Sequence, residues 1–470
     1  MPLILSGNVA SATASTGYDV DHSLRWDDGD SPVMSESTGT PSDPDKWTYS
    51  VWVKRCTLGA EQKLIALEGD SLNNDAISFD SSDQLRWYGI TSSSTYIDLK
   101  TNRKFRDVGA WYNLCFVYDS AQGTDSDRAK IYVNGTQETS LATSTYPAQN
   151  KDSYINTASK TWILGRQSWQ ASGYFDGYMS EIVFCDGQAY APDGNVGEFN
   201  EDSPTIFQPK DPSGLTFGTN GFFLEFKETG TSQNSSGIGA DTSGNNNHFA
   251  VTNLAAIDQA NDSPTNNFCT LNPLAFENAG GTGRMSEGSL RLDGGSSTAH
   301  NMSVGTIAVN QGKWWFEAEI DAYGGNNPSI GIASYDVTLS LGNYIGGLAG
   351  TIGYTGNGNI NENGSNLETG LNSYTDGDII NIGLDLDNNK IYAYKNGSLE
   401  NTGGTTITNR YYSFAVSQYS NTGHWLCNFG ASAPYTISSG NADENGYGNF
   451  EHAPVSGYLA LCTKNLAEEG

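Results

Sequence analysis

The chain has 470 residues, a net charge of −29, a charged fraction of only 16% and 55 glycines. This negative charge excludes a phosphate-tracking nucleic-acid surface, which needs a basic stripe, and it opposes binding to anionic membranes. The 18 Phe, 25 Tyr and 10 Trp residues need a core, so the composition excludes a disordered chain. Turn formers combined with aromatic and β-branched residues are typical of a turn-rich β-protein.

The chain begins with an apolar run, Pro2, Leu3, Ile4 and Leu5, followed by small polar residues up to Gly17. Such a segment cannot bury itself, so residues 1–20 are predicted to form an arm that is disordered or ordered against a partner. We expect Pro2 to Leu5 to anchor the chain to another protein. The run is too short for a signal peptide, and no stretch reaches the ~18 apolar residues of a membrane span.

A regular series of short alternating strands occupies residues 21–200, including Trp47–Lys54, Ala110–Asp119 and Phe175–Phe184. An alternating run at 129–133 leads into Asn134-Gly135, the strongest short-range signal for a type I′ hairpin. This recurrence of strands and turn signals predicts a sandwich or jelly roll.

Residues 201–280 are broken by prolines and predict a bridging segment that lends a strand or two to a neighbour. Residues 281–470 form a second strand-rich unit, with Lys313–Ile320, Ile379–Leu386 and another hairpin signal at Asn396-Gly397.

The six cysteines form no CxxC pair and mostly lie in apolar strand runs, so buried free thiols are predicted.

The first unit resembles laminin-G-like, concanavalin-type jelly rolls. The resemblance is carried by Trp47–Val53, Trp111–Asp119, Ile131–Gly135 and Phe175–Ile182, in this order. The second unit resembles the SPRY domain, a β-sandwich usually used for protein recognition. Its matching runs are Gly312–Glu317, Ile330–Ala333, Asp378–Asp385 and Ile391–Gly397. The resemblances imply an all-β chain with two antiparallel β-sandwiches in tandem, a jelly roll and then a SPRY-like domain.

This tandem, with its polar N-terminal arm, resembles bacteriophage virion proteins of the tail-fibre or capsid-attached type. The resemblance implies a non-enzymatic structural protein, made in the host cytoplasm, that displays recognition modules for a host-surface glycan or protein. Other virion proteins and further copies of the chain are the implied partners, with neither nucleic acid nor membrane insertion. The alternatives are a secreted or cell-surface lectin or adhesin, and a polysaccharide-degrading tailspike.

Glu317, Glu319 and Asp321 alternate along one strand and therefore share a face, as catalytic carboxylates of glycoside hydrolases do. We interpret them instead as a solvent-facing edge and predict no catalytic residues.

Candidate binding residues are aromatic or amide side chains in loops rich in Ser, Gln, Gly and Asn. The carbohydrate candidates are Tyr96, Trp169 and Tyr174. The resemblance to SPRY domains implies a protein-binding surface at Tyr323, Asn326, Asn327, Asn343 and Tyr344.

A calcium ion is the one cofactor considered. Laminin-G-like domains often hold such an ion in an edge loop, which implies Asp119, Asp125 and Asp127 as ligands. The alternative is an ordinary solvated acidic loop, and we predict no other cofactor.

Overall fold

A computed structural model describes residues 4–5, 17–277, 284–295, 299–340 and 342–469. The chain divides into two compact units, with the boundary between Thr265 and Asn266. Residues 4–5 belong to the second unit, so that unit is built from both ends of the chain.

The short strand β1 (Ile4–Leu5) is followed by the strands of the first unit. They are β2 (Ser23–Trp26), β3 (Val33–Ser37), β4 (Lys46–Arg55), β5 (Gln62–Leu67), β6 (Asn74–Phe79), β7 (Gln84–Thr91), β8 (Ser94–Lys104), β9 (Tyr112–Asp119), β10 (Ala129–Val133), β11 (Thr136–Gln137), β12 (Leu141–Thr145), β13 (Thr161–Leu164), β14 (Gly177–Asp186), β15 (Gly197–Phe199), β16 (Phe207–Pro209), β17 (Phe222–Leu224), β18 (Ala250–Thr252) and β19 (Gln259–Ala260). Short 3₁₀ turns occur at Asp125–Asp127, Tyr154–Asn156 and Ala256–Asp258.

In the described residues, all of these strands except β15 and β16 form two large sheets, and β15 pairs with β16. One has the order β11-β10-β9-β4-β14-β2-β19, with β17 also paired to β14, and the other has the order β12-β8-β7-β6-β5-β13-β3-β18. Their inner faces share a core in which the rings of Trp47 and Trp87 lie 4.9 Å apart and Trp162 packs on Phe184. Trp47 and Trp162 are both almost completely buried in this core.

The bridging segment is part of the first unit up to Thr265, because β17, β18 and β19 each extend one of its sheets. Its last turn is held by a fully buried ion pair of 2.7 Å between Lys54 Nζ and Asp262 Oδ2. The indole nitrogen of Trp111 donates to the other Asp262 oxygen at 3.0 Å. A buried pair with these additional hydrogen bonds fixes the segment in one position.

The second unit contains the remaining strands and one helix. They are β20 (Leu271–Glu277), β21 (Met285–Ser286), β22 (Arg291–Asp293), β23 (His300–Gly305), β24 (Ile307–Ala308), β25 (Lys313–Ala322), β26 (Ser329–Ser334), β27 (Thr351–Thr355), β28 (Asn359–Glu362), β29 (Ser365–Glu368), β30 (Ile379–Asp385), β31 (Lys390–Lys395), β32 (Ser398–Leu399), β33 (Thr405–Thr406), β34 (Tyr412–Tyr419), β35 (His424–Asn428), β36 (Leu459–Ala460) and α1 (Thr463–Glu469).

Within its described part, the second unit is also a pair of sheets. Their orders are β20-β23-β34-β26-β27-β28-β29 and β21-β22-β35-β25-β30-β31-β32, with β33 and β36 added beside β31 and β25. Apolar residues such as Trp314, Phe316 and Trp425 are buried in its core. The fold is thus all-β apart from α1, with two antiparallel sandwiches in tandem, as predicted.

The N-terminal run differs from the expectation of an anchor for another protein. Ile4 and Leu5 pair in parallel with Ile307 and Ala308 of β24, so their backbones are occupied within the same chain. Pro2 and Leu3 lie outside the described residues.

Both predicted hairpin turns are present. Asn134 and Gly135 have φ angles of 46° and 75°, and Asn396 and Gly397 have 48° and 76°. Positive φ at both central residues is the requirement of a type I′ turn, which Asn-Gly meets at little cost.

All six cysteines are buried and free, again as predicted. Among the described residues, no helix has the length and apolar character needed to cross a membrane.

Candidate functional site

A groove of about 700 Å³ lies over one end of the second sheet of the first unit. Val33 and Ser35 of β3 and Ile163 of β13 form part of its floor. The residues that alternate with them, Met34 and Trp162, point into the core. The period-two alternation of strands therefore places this floor on the outer face of the sheet.

One wall of the groove is the loop that follows β13, residues 166–174. The loop closes on itself through Gln167 N, which donates to Ser172 O at 2.9 Å, and Lys63 N donates to Gly173 O at 2.9 Å. Its first turn needs Gly165, which has φ +86°, because a Cβ there would lie 2.3 Å from the buried Trp26 ring. These contacts fix the loop against the sheet.

The loop presents two aromatic side chains to the groove. Trp169 is 40% exposed, and Tyr174 is half-buried. Amide and hydroxyl groups of Gln170, Ser168 and Asn253 surround them. An exposed ring among such groups offers a flat apolar surface with hydrogen-bonding partners at its rim, which suits a ligand with apolar faces and polar edges.

The groove contains one cation and one carboxylate among its described lining residues, Arg166 and Glu68. Arg166 Nη1 donates to Gln167 O at 2.7 Å, and the guanidinium forms no ion pair with the described carboxylates. Glu68 is exposed, and its Oε2 accepts a 2.9 Å hydrogen bond from the Thr161 hydroxyl. Both charges are open to a ligand.

Two regions of the chain match known domain families. Residues 27–189 match the Concanavalin A-like lectin/glucanases superfamily, and residues 313–421 match the SPRY domain. The chain has a concanavalin A-like domain followed by a SPRY domain. No curated protein matched the sequence.

The solved structures similar to the chain include the SPRY domain of human HERC1, with 18% identity, covering 35% of this chain and 99% of that one, at a TM-score of 0.29. A SAP-like pentraxin from Limulus polyphemus is 16% identical, covering 37% of this chain and 80% of that one, at a TM-score of 0.28. Domain 4 of the arabinanase AbnA from Geobacillus stearothermophilus, solved with arabinotriose, is 22% identical, covering 31% and 63%, at a TM-score of 0.24.

The groove of the concanavalin A-like unit brings together Trp169 and Tyr174, but the third predicted aromatic is elsewhere. Tyr96 is 8% exposed, and its hydroxyl is hydrogen-bonded to the buried Asp75 carboxylate and to Tyr154 N. Burial raises the pKa of Asp75 to about 7, although hydrogen bonds from Tyr96, from the Trp87 indole and from Ile155 N lower it. Tyr96 therefore serves a buried polar cluster, and the prediction that it forms a sugar platform is wrong.

The acidic loop does not form the predicted calcium site. Asp119 accepts from Gln122, Asp127 pairs with Lys130 Nζ at 3.0 Å, and the carboxylates of Asp119, Asp125 and Asp127 do not converge. Asp125 and Asp127 instead lie in an exposed, solvated turn, and Asp119 is buried. Elsewhere in this unit, Asp27, Asp28 and Asp176 bring carboxylate oxygens within 4.8 Å of one another, a set that a hard cation such as calcium would accept.

The predicted loops of the SPRY unit meet around His300, which was not among the predicted residues. His300 Nε2 donates to the Asn326 carbonyl oxygen at 3.0 Å, and its ring lies 5.6 Å from that of Tyr344. Asn326 is exposed, whereas Asn327, Asn343 and Tyr344 are half-buried. Tyr323 is also half-buried, and its ring lies 6.4 Å from that of Tyr374. His300 thus joins the two loops into one surface.

In the carboxylate trio of β25, Glu319 is half-buried and Asp321 is exposed, but Glu317 is 0% exposed and is therefore not part of a solvent-facing edge. It accepts hydrogen bonds from Asn381 Nδ2 at 2.8 Å, from the Tyr435 hydroxyl at 2.7 Å and from the backbone of Glu451 and His452. Burial alone would raise the pKa of Glu317, but the His452 side chain, the backbone N–H groups of His452 and Glu451, and the Tyr435 hydroxyl outweigh it and hold the pKa below its usual value. Glu317 is a structural anion that fixes the segment around Glu451.

Arg166, Glu68 and Asn253 also line the groove but were not predicted from the sequence. Arg166 was within reach of sequence reasoning, because it stands at the start of the same polar loop as Trp169. Asn253 was not, because it reaches the groove only through the pairing of β18 with β3, more than 200 residues earlier in the chain.

Proposed function

We propose that the chain is a non-enzymatic structural protein of a bacteriophage particle that attaches to a host-surface glycan through the groove beside Trp169. The observation that carries the glycan-binding part is an exposed tryptophan on a fixed, polar loop of a concanavalin A-like domain. Rings of this kind stack on the C–H faces of sugars while the surrounding amides and hydroxyls bind sugar hydroxyls.

The wall of the groove also contains a hydroxyl group that makes no hydrogen bond to the described residues. The Ser168 hydroxyl is buried in its wall without a hydrogen-bond partner among the described residues. Buried polar groups in proteins are nearly always paired, so an unpaired one beside an open groove favours a polar ligand.

Binding is favoured over hydrolysis by the charges in the groove. Glycoside hydrolysis needs two carboxyl groups that flank the scissile bond. Glu68 is the one carboxylate among the described groove residues, and Glu317 is enclosed in hydrogen bonds in the other unit. These observations support attachment rather than a polysaccharide-degrading tailspike.

The virion setting rests on the sequence, where two recognition modules follow each other behind a polar arm. With Ile4 and Leu5 paired inside the chain, we propose that the loops joined by His300 contact another protein of the particle. We further propose a homo-oligomer, because several copies convert weak sugar contacts into firm attachment by avidity.

Mass spectrometry of purified phage particles tests whether the chain is a virion protein. We expect peptides of the chain at stoichiometric abundance, and their absence would contradict the proposal.

The glycan site is tested by a Trp169→Ala plus Tyr174→Ala variant. We expect glycan binding on an array of host-surface sugars to weaken by up to a few kcal/mol, with the unfolding temperature nearly unchanged, since these side chains line a groove and not the core. Tyr335→Ala removes an aromatic of the SPRY unit that is 48% exposed; this variant is the control and should bind as the wild type does.

Two results would contradict the proposal. One is a wild-type protein that binds no glycan on the array. The other is a double variant that retains full binding, which would move the sugar site away from the groove.

A further inference from the structure

We infer that the groove binds an acidic oligosaccharide, in which Arg166 holds the carboxylate of one sugar unit and Trp169 stacks on a neighbouring unit. This inference rests on the proposed glycan-binding function and adds the chemical class of the ligand.

Arg166 has no acidic counter-ion among the described residues. The chain has 53 acidic and 24 basic residues, so carboxylates outnumber cations by more than two to one. Arg166 nevertheless forms no ion pair with a described carboxylate, although it lines a groove and is only partly exposed. A half-buried guanidinium without a counter-ion, in so acidic a chain, is a site that an anionic ligand would complete.

The guanidinium of Arg166 is held by the backbone of its own loop. Nη1 donates to Gln167 O at 2.7 Å and lies 3.5 Å from Gln170 O, so the loop backbone already orients the group. Nε and Nη2 have no partner in the described part of the chain. Two such donors bind the two oxygens of a carboxylate, and an oriented fork loses little entropy on binding.

Glu68 places a negative charge in the same groove as Arg166. Glu68 lines the same groove and repels an anion, so a ligand must place its acidic unit at Arg166 and a hydroxyl-bearing unit at Glu68. The groove of about 700 Å³ falls within the roughly 300–1,000 Å³ of ordinary ligand sites. A short oligosaccharide with both acidic and neutral surfaces matches this arrangement better than a uniformly charged polymer.

The net charge of −29 acts against a polyanion at long range. At physiological ionic strength, however, charges beyond about 8 Å are largely screened. The charges of Arg166 and Glu68 in the groove therefore decide whether an acidic or a neutral glycan is preferred. Binding of the acidic glycan should still weaken as the salt concentration increases.

The experiment uses the full chain and an array in which each acidic glycan fragment is printed beside its carboxyl-reduced, neutral counterpart. The best acidic binder is then titrated against the wild type, Arg166→Gln, Arg166→Lys and Trp169→Ala. Arg410→Gln removes the same charge from an exposed position of the SPRY unit and is the matched control. The unfolding temperature of each variant shows whether it is folded.

We expect the acidic form of a glycan to bind roughly 10- to 100-fold more tightly than its reduced form. Arg166→Gln should remove this preference and its salt dependence, Arg166→Lys should keep part of it, and Trp169→Ala should weaken both forms alike. Arg410→Gln should leave the preference unchanged.

Equal binding of acidic and reduced glycans, with Trp169→Ala still disruptive, would overturn this inference and leave the proposed function standing. An acid preference that survives in a folded Arg166→Gln variant would also overturn it. A wild type that binds neither form would overturn the proposed function itself.

Discussion

Glu181 is a buried carboxyl group at an irregular point of β14. The pairing of β14 with β4 shifts between Ser180 and Val183, and Glu181 has a φ angle of +49°, which is unusual for a residue with a Cβ. The Tyr18 hydroxyl donates to its Oε2 at 3.0 Å, and Glu225, itself paired with Lys227, lies beside it. Burial, followed by the charge of Glu225, raises the pKa of Glu181 to about 8.

This shift predicts a specific pH dependence of stability. The pKa of Glu181 is 4.5 ordinarily and about 8 in the folded chain, so the folded state holds an extra proton between these values. Stability is therefore lost as the pH rises from about 4.5 to 8, at about 1.4 kcal/mol per pKa unit as an upper bound. Glu181→Gln should remove this loss, so that denaturant titrations at pH 8.5 find the variant more stable than the wild type by a few kcal/mol.

The control is Glu201→Gln, which changes an exposed carboxylate of the same unit. It should follow the wild-type pH profile. A Glu181→Gln variant that also follows the wild-type profile would show that Glu181 is ionised normally in the fold.

At the scale of single elements, the groove loop depends on one glycine. Gly165→Ala combines a positive φ with a Cβ only 2.3 Å from the Trp26 ring, whereas Gly194→Ala has a similar φ of +80° and open space. We expect Gly194→Ala to cost about 1–2 kcal/mol and Gly165→Ala clearly more, with loss of glycan binding as the loop moves. Thermal unfolding and glycan titration measure both effects, and equal costs for the two variants would contradict the close approach to Trp26.

The sequence predicts elements well where the information is local. The Asn134-Gly135 and Asn396-Gly397 hairpins follow from the φ preferences of two residues, and both are present. The helix α1 was not predicted, because its seven residues at the chain end are too few for a helical period to appear.

Other features depend on pairing across the chain, which no local pattern reveals. Phe268-Cys269-Thr270 and Leu461-Cys462-Thr463 share a Cys-Thr pair, and the structure brings the two segments together. Cys269 N donates to Leu461 O, and Thr463 N donates to Asn267 O, each at 2.9 Å. The same limit explains the groove: Trp169 and Tyr174 are neighbours in sequence and were predicted, but the floor under them comes from β3, β13 and β18.

At the scale of the whole molecule, each unit has a hydrophobic core of its own. The core of the first is formed around residues such as Trp47 and Phe184, and that of the second around residues such as Trp314 and Phe316. Separate cores are the property that lets domains unfold as separate cooperative units. The six buried cysteines divide evenly between the units and provide a probe of each.

We therefore predict that the thiols react in two groups as denaturant increases. Cys56, Cys115 and Cys185 report on the first unit, and Cys269, Cys427 and Cys462 report on the second. In the native chain all six should resist alkylation, since burial removes access and raises the pKa of Cys185 and of Cys462 to about 12. Peptide mass spectrometry after labelling identifies which thiols have reacted at each denaturant concentration.

A variant of the SPRY unit makes this prediction sharper. Glu317→Gln cannot sustain the set of hydrogen bonds that the buried carboxylate accepts, and we expect it to destabilise the second unit by roughly 2–4 kcal/mol. The labelling of Cys269, Cys427 and Cys462 should then move to lower denaturant, while that of Cys56, Cys115 and Cys185 stays in place. If all six thiols moved together, the two cores would unfold as one cooperative unit, and the division of the chain at Thr265 would have no energetic meaning.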